Sequence, residues 1–290
     1  MLASFCRTIM LVLGLLPVQV LAEFSLAESS GSDLMQAVYD KHRQYPYVYE
    51  EYSMVLIDRE GNRETRKAKV YTRVEQDNTQ RMLLLFESPD DVKGVAVLAE
   101  RQGDGEVRQA IYLPALGDNM VENSGEAGDA NFLGTDFSVE NLTGEQLEDY
   151  RYERRRDVVI KDKAFCVVDV YEPTSDEEVP LRRHFITQDN LYVVRTDYYD
   201  DLGRVRKRQS HHDLTQVLGE MWRANMMLME NLQSEHQTLI KIDRRVFSRD
   251  YVQKEVFTSE YLFANGRAYH PMEDKPDDEA EAELIGGAEQ

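Results

Sequence analysis

Histidines and a few acidic side chains are the residues of this chain that could do acid–base or metal chemistry. The histidines are His42, His184, His211, His212, His236 and His270. None of them pairs with a carboxylate or a cysteine at the spacing of a metal site, and no G-x-S-x-G, P-loop or dinucleotide sequence is present. Asp136 could act with His184 in hydrolysis, but no nucleophile, base and orienting group can be placed together. We therefore predict no metal, no cofactor and no enzymatic activity.

Asp136 also has two structural explanations. It lies in the sequence GTDFS, just before a short helix expected over residues 138–142. Its carboxylate can cap that helix, or it can pin the loop by accepting backbone N–H bonds. We favour a structural role for this residue over a catalytic one.

The first 22 residues have the pattern of an export signal. Arg7 precedes a short apolar run over residues 9–16, and Ala22 ends a small-residue cleavage sequence. Pro17 breaks the run well short of the roughly 20 residues that a membrane span needs. We predict a cleaved signal peptide and a soluble periplasmic protein; an uncleaved anchor is the alternative. Cleavage leaves Cys166 as the single thiol, which we expect to be buried and unreactive in its apolar strand.

The acidic balance of the chain excludes one class of partner. The net charge is −20, and nucleic acid requires clustered cations. Much of the acidity lies in residues 271–290, which we predict to be a disordered tail. Basic clusters over residues 151–156 and 204–208 fit either a solvated strand face or a docking patch for an anionic headgroup or acidic partner.

Most of the chain between these ends is predicted to form β-strands. Ser32 is expected to cap a helix over residues 33–44, and a short helix is expected over residues 258–263. Strands with turn residues between them favour one domain with a large antiparallel sheet, sandwich or barrel. The predicted strands are 49–58, 67–75, 81–87, 94–101, 107–113, 150–160, 164–171, 182–187, 192–199, 204–211, 217–230, 237–242 and 251–258.

A methionine-rich strand and an apolar loop suggest where a ligand binds. Residues 221–229 hold one tryptophan and four methionines, which adapt to irregular apolar shapes. The long loop over residues 117–131 is followed by the apolar residues Phe132, Leu133 and Phe137. Gly128 and Gly134, on either side of the first two, give the backbone the freedom that a lid over a ligand needs. An ordinary core and a lined pocket both remain open at this point.

Several motifs occur in an order that resembles a known family. They are FESPDDVKG (86–94), IYLPAL (111–116), FLGTDFSVENL (132–142), MWRANMMLMENLQSEHQTLIKI (221–242) and VFTSEYL (256–262). The series resembles the bacterial outer-membrane lipoprotein-sorting proteins, which are similar to the periplasmic carriers LolA and LolB. The resemblance covers most of the mature chain. It implies a mainly β fold with a few helices, in which the sheet forms a curved antiparallel half-barrel. Two helical segments, one that begins at residue 33 and one over residues 134–146, would plug its concave face.

The resemblance also implies a function and a division of the chain. We expect a monomeric, non-enzymatic carrier that shields the acyl chains of a lipid or lipoprotein on the way to the outer membrane. The alternative is a protein-binding accessory of an inner-membrane exporter of the RND type. The expected parts are the signal peptide (1–22), a flexible N-terminus (23–31), the half-barrel domain (32–270) and the acidic tail (271–290).

The lipid site is predicted on the apolar loop, the strand below it and the methionine-rich strand opposite. The predicted lipid-binding residues are Tyr112, Leu113, Phe132, Leu133, Phe137, Trp222 and Met226. Many relatives carry basic residues after the YLPAL motif, whereas this chain has GDNMVE at residues 117–122. A headgroup contact made by that loop is therefore not expected here.

Overall fold

The computed structural model describes residues 25–43, 45–102, 107–123, 131–174 and 176–269. The predicted signal peptide, the acidic tail and the hairpin turn at residues 103–106 lie outside these ranges. The helices are α1 (Gly31–His42), α2 (Val139–Thr143) and α3 (Ser259–Tyr269). The strands are β1 (Tyr47–Ile57), β2 (Arg63–Val74), β3 (Gln80–Ser88), β4 (Ala96–Arg101), β5 (Val107–Tyr112), β6 (Met120–Asn123), β7 (Arg151–Ile160), β8 (Lys163–Tyr171), β9 (Arg182–Thr187), β10 (Val193–Tyr199), β11 (Val205–Leu218), β12 (Met221–Asn231) and β13 (His236–Phe247).

All thirteen strands form one antiparallel sheet that does not close. Its order is β6-β5-β4-β3-β2-β1-β13-β12-β11-β10-β9-β8-β7, so β1 and β13 join the two halves of the chain at its middle. Side chains of β3 and β9, far apart in this order, line one cavity, so the sheet must curve around it. The predicted mainly β, open half-barrel with a few helices is confirmed.

Alternation along the strands gives the sheet two different faces. On the inner face a cluster of buried residues from β1–β4, β10, β12 and β13 packs against the segment before α2. It comprises Tyr52, Met54, Leu56, Ala68, Val70, Met82, Leu84, Phe86, Val95, Val97, Ala99, Phe132, Phe137, Val139, Tyr198, Met229, Ile240 and Ile242. We call this the inner cluster. On the outer face, Val252, Phe257 and Leu262 from the C-terminal segment cover Tyr49 and Tyr112.

Helix α1 covers the inner face at the other end of the sheet. Leu34, Met35 and Val38 pack with residues of β7–β9, among them Cys166. Cys166 is fully buried, which confirms its predicted burial, and burial raises the pKa of its thiol. No helix within the described ranges is long and apolar enough to span a membrane.

The start of α1 differs from the prediction by two residues. Ser30, rather than Ser32, is the N-cap: its hydroxyl accepts from the Asp33 amide at 3.1 Å. The Asp33 carboxylate accepts in return from the Ser30 amide at 3.2 Å. This reciprocal capping box satisfies two amides that would otherwise lack partners, so it fixes the helix start at Gly31.

The strand predicted over residues 251–258 is wrong. The chain forms two 3₁₀ turns there, Arg249–Tyr251 and Lys254–Phe257, and then continues as α3. Hydroxyl groups start the first of these turns and α3, because Ser248 accepts from the Asp250 amide and Thr258 from the Tyr261 amide. The segment also covers the outer face instead of extending the sheet edge.

Arginines and aspartates alternate across the outer face of β7–β11. In cross-strand register, Asp169 lies opposite Arg183, which lies opposite Asp197, which lies opposite Arg208. Arg155 and Arg183 both bind the Asp169 carboxylate, at 2.6 and 2.5 Å. The predicted basic clusters therefore contribute arginines that are already paired within the sheet.

Candidate functional site

A cavity of about 810 Å³ lies on the inner face of the half-barrel. Its walls are the sheet, helix α1, and helix α2 with the turn that follows it. Small-molecule pockets in proteins have volumes of roughly 300–1,000 Å³, so this cavity has the size of a ligand site.

The segment leading into α2, which precedes the helical wall of the cavity, is attached to the sheet by Asp136. The Asp136 carboxylate accepts from the Thr238 hydroxyl at 2.8 Å and lies 2.6 Å from His236 Nδ1. The Asp136 amide donates to the Thr238 hydroxyl at 3.0 Å. Asp136 therefore pins this segment to β13. The predicted capping role of Asp136 is wrong, because Ser138 is the N-cap of α2 and forms a capping box with Asn141.

His184 is separate from Asp136, so the two do not form a catalytic pair. Its Nδ1 lies 2.9 Å from the Thr196 hydroxyl and its Nε2 lies 3.2 Å from Glu145. Among the described residues, no group of three or more His, Cys, Asp or Glu side chains is placed to hold a metal ion.

Glu145 holds the turn after α2 against β9. Its carboxylate lies 2.8 Å from Arg182 Nε, and Arg182 also reaches Glu140 of α2 at 3.0 Å. Burial alone would raise the pKa of the Glu145 carboxyl, but the charges of Arg182 and His184 outweigh it and hold that pKa at about 2. Glu145 is therefore ionised at neutral pH, and α2 is fixed to the sheet by buried ion pairs.

Arg43 joins the two helical walls of the cavity to each other. It follows the last residue of α1 and donates to the carbonyls of Thr143 and Glu145, at 2.8 and 3.4 Å. Both carbonyls belong to the end of α2 and its turn, where intrahelical partners run out. The cavity therefore has α1 and α2 linked across its mouth.

The cavity continues into the inner cluster. Tyr52, Leu142, Tyr198 and Met227 line the cavity and also belong to that cluster or pack against it. The remaining lining is largely polar, and it includes Glu50, Arg223 and Arg245. The site thus combines an apolar wall with charged groups, as an amphiphilic ligand would require.

Two histidines of the lining are neutral at neutral pH. His42 Nε2 lies 3.0 Å from the Asn190 carbonyl, and its Nδ1 accepts from the Trp222 amide at 3.2 Å. His211 Nδ1 lies 2.8 Å from the Val193 carbonyl. Burial lowers the pKa of each imidazole to about 4. These rings therefore act as neutral hydrogen-bonding groups.

The structure brings four of the predicted lipid-binding residues together. Phe132 and Phe137 are buried in the inner cluster, and Leu113 and Leu133 pack against it. Tyr112 lies on the outer face, where its ring is 5.4 Å from that of Phe263 in α3.

Trp222 and Met226 are half-buried residues of β12 that lie outside the inner cluster. None of the seven predicted residues lines the cavity itself. Tyr112 and Leu113 separate because neighbouring residues of a strand point to opposite faces.

Sequence reasoning missed the charged lining of the cavity. Arg182 and His184 stand two residues apart on β9, so both face inward, and Glu145 meets them from the turn after α2. The spacing of Arg182 and His184 indicates that they share one face of a strand. No sequence pattern connects them to Glu145, whose carboxylate lies 37 residues before Arg182 in the chain.

The open sheet, the helices on its inner face and the cavity between them define a LolA-like half-barrel protein. The chain belongs to the family whose model, described as "Uncharacterized protein", matches residues 78–263. Comparison with curated proteins finds no match.

Three solved structures share this fold. An outer membrane lipoprotein-sorting protein domain from Vibrio parahaemolyticus has a TM-score of 0.73 at 21% identity, covering 80% of this chain and 98% of that one. A DUF1329 family protein from Desulfovibrio piger has a TM-score of 0.69 at 20% identity, covering 79% and 98%. A LolA superfamily protein from Nitrosomonas europaea has a TM-score of 0.63 at 14% identity, covering 80% and 99%. At these identities the likeness is one of fold.

Proposed function

We propose that this protein is a periplasmic carrier that shields the acyl chains of a lipid or lipoprotein during transfer toward the outer membrane. The observation that carries the proposal is the cavity of about 810 Å³ between an open half-barrel and its helices. The similar Vibrio domain is described as a lipoprotein-sorting protein, which supports the same role. A carrier of this kind needs no catalytic group and no cofactor.

Burial of an acyl chain supplies enough free energy for such a carrier. Each methylene removed from water contributes about 0.8 kcal/mol. A chain of about ten methylenes therefore gains on the order of 8 kcal/mol before the costs of binding. Tyr52, Leu142, Tyr198 and Met227 provide the apolar wall on which the chain begins.

We place the far end of the acyl chain against Phe132, Leu133, Phe137 and Leu113. These four are the members of the predicted lipid site that lie in or against the inner cluster. To reach them, the chain must shift the segment before α2 and break the hydrogen bonds by which Asp136 holds it to β13; Gly134, whose φ is +75°, supplies backbone freedom for this shift. The segment thus acts as an inner lid over the apolar part of the site.

A pair of matched variants tests whether the cavity holds the ligand. Val48 of β1 lines the cavity, whereas Val55 of the same strand points to the opposite face, and both side chains are half-buried. Val48→Trp fills the cavity and should weaken binding of a neutral fluorescent acyl probe at least tenfold. Val55→Trp should leave the affinity unchanged. If the folded Val48→Trp protein binds the probe like the parent, the ligand is not in this cavity.

The cellular part of the proposal needs a separate test. The full chain expressed in a bacterium should appear in the periplasmic fraction with a new N-terminus near residue 23, as the predicted export signal requires. Native mass spectrometry of that fraction should show bound lipid mass. Recovery of the protein only in the cytoplasm would contradict the periplasmic assignment.

The exporter accessory role stays a separate prediction. It requires a protein partner in the inner membrane, and it is compatible with lipid carriage. Cross-linking in intact cells followed by detergent extraction should then recover an RND-type exporter with this protein. Recovery of lipid but no membrane protein would leave carriage alone.

A further inference from the structure

Arg223 is a cation of the cavity lining that lacks a carboxylate partner among the described residues. It lies on β12, opposite Thr215 of β11, and its side chain is half-buried. The hydrogen bond of its guanidinium joins NH1 to the carbonyl of its own neighbour, Trp222, at 3.0 Å. A guanidinium has five N–H donors, so most of the Arg223 donors are left for a ligand.

The carboxylate whose charge acts on Arg223, that of Glu50, already binds other groups. Glu50 Oε1 accepts from Arg245 Nε at 2.5 Å, and its Oε2 accepts from the Tyr52 hydroxyl at 2.7 Å. Arg245 in turn donates to the carbonyl of Ala224 at 2.8 Å. Arg223 shares no hydrogen bond with this network.

The other arginines of the lining have carboxylate or carbonyl partners. Arg182 is held by Glu140 and Glu145, and Arg101 by Asp149 at 2.7 Å. Arg43 donates to two backbone carbonyls. Burial lowers the pKa of the Arg223 guanidinium; Tyr192 and Glu50 oppose this effect, and Arg245 and Arg43 add to it.

Tyr192 offers a second donor near Arg223. Its hydroxyl oxygen accepts from the Ala224 amide at 3.2 Å, and its proton finds no acceptor among the described residues. The Arg223 charge opposes the burial that raises the pKa of this phenol, so the two groups lie within electrostatic reach. Together they offer a guanidinium and a hydroxyl to one acceptor.

We propose that Arg223, assisted by Tyr192, binds the anionic headgroup of an acyl amphiphile whose chain lies along the apolar wall of the cavity. The ligand class is a long-chain carboxylate or a lipid with a phosphate headgroup. This inference rests on the proposed carrier function and adds the charge of the ligand to it. A protein of net charge −20 repels free anions, so such a ligand needs a local cation and an apolar chain together. Hydrogen bonds between two charged groups are roughly twice as strong as neutral ones, which favours the anionic headgroup over a neutral one.

The test compares ligands that differ only in headgroup. Displacement of a neutral fluorescent acyl probe is measured with dodecanoate, dodecanol, acetate and inorganic phosphate at pH 7.5. The variants are Arg223→Met, which removes the charge with little loss of volume, and Arg223→Lys, which keeps it. Arg59→Met is the matched control, because Arg59 is an exposed turn residue outside the cavity and its loss changes the net charge equally. Thermal melts followed by circular dichroism establish that each variant is folded.

The expected result is that the parent protein binds dodecanoate at least tenfold more tightly than dodecanol. Arg223→Met should abolish this preference without weakening dodecanol, Arg223→Lys should keep part of it, and Arg59→Met should keep all of it. Equal binding of dodecanoate and dodecanol by the parent, or an unchanged preference in Arg223→Met, overturns the headgroup site and leaves the carrier function standing.

Two further outcomes separate this inference from the function on which it rests. If neither dodecanoate nor dodecanol displaces the probe from the parent, the carrier function itself fails. If acetate or phosphate binds as tightly as dodecanoate, the site takes a free anion, and the assignment to an amphiphile is overturned.

Discussion

Glu145 and Arg182 form an ion pair that fastens a helical wall of the cavity to the sheet. Their side chains approach to 2.8 Å, between the turn that follows α2 and the inner face of β9. The chain thus holds this wall by buried charges, which stabilise it only while both partners are present. We expect the strength of this pair to control opening of the cavity on its α2 side.

Glu145→Gln should destabilise the protein by about 3 kcal/mol, because it leaves the buried Arg182 with Glu140 as its remaining carboxylate. Urea unfolding at pH 7.5 measures the loss. Glu148→Gln is the control, since Glu148 is an exposed residue of the same segment. Equal stability of the two variants would show that the ion pair contributes little.

His211 should make the protein less stable as the pH falls from about 6.5 to about 4. Its pKa is about 4 in the folded state and near 6.5 in the unfolded state. As the pH falls, the unfolded chain binds a proton first, so the unfolded state is favoured and the free energy of unfolding decreases. His211→Gln should flatten this dependence in urea unfolding measured from pH 7.5 to 4.5. His212→Gln, at an exposed neighbouring position, should not. The same slope in both variants would contradict the assignment.

Asp169→Asn should cost about 3–5 kcal/mol of stability, because the buried carboxylate is the shared partner of Arg155 and Arg183. Asp162→Asn, in an exposed hairpin turn whose φ of +64° asparagine tolerates, should change stability little. Chemical unfolding of both variants tests this. A loss of less than about 1 kcal/mol in Asp169→Asn would mean that hydration of the two arginines replaces their ion pairs with Asp169 at little cost in stability.

Leu133→Asp should abolish binding of an acyl probe, because a carboxylate facing a lipid chain is costly to desolvate. Leu202→Asp, in an exposed turn, is the matched control. Both proteins must first show a cooperative melt. If folded Leu133→Asp binds as tightly as the parent, the chain stays in the cavity and the segment before α2 is not part of the site.

The sheet was predictable from the sequence to a large extent, and the site was not. Strand alternation and turn residues predicted a strand over Arg182–Thr187, the same bounds as β9. The prediction for α1 was offset from the observed helix by two residues. The C-terminal 3₁₀ turns were missed because an apolar run of that length also fits a strand.

The cavity was missed for a different reason. Its lining joins residues such as Glu50, Glu145 and Arg223, which meet only when the sheet curves. Periodicity tells which face of a strand a side chain occupies, but not which distant strand lies across from it. Aromatic and methionine residues near the loop drew the predicted site to the apolar part of the interior, where Phe132 and Phe137 are already packed in the core.

Gly31 determines which wall of the cavity can give way. A Cβ atom at this position would lie 2.6 Å from the Tyr152 carbonyl oxygen and 2.8 Å from the Arg154 nitrogen, so the first turn of α1 rests directly on the backbone of β7. At this contact no side chain separates the two backbones, although Leu34, Met35 and Val38 pack on β7–β9 further along, so the start of α1 has little room to shift on β7. Under the proposed carrier function, we therefore expect a cargo larger than the resting cavity to make room on the α2 side, so that the movement of that wall sets the capacity of the site.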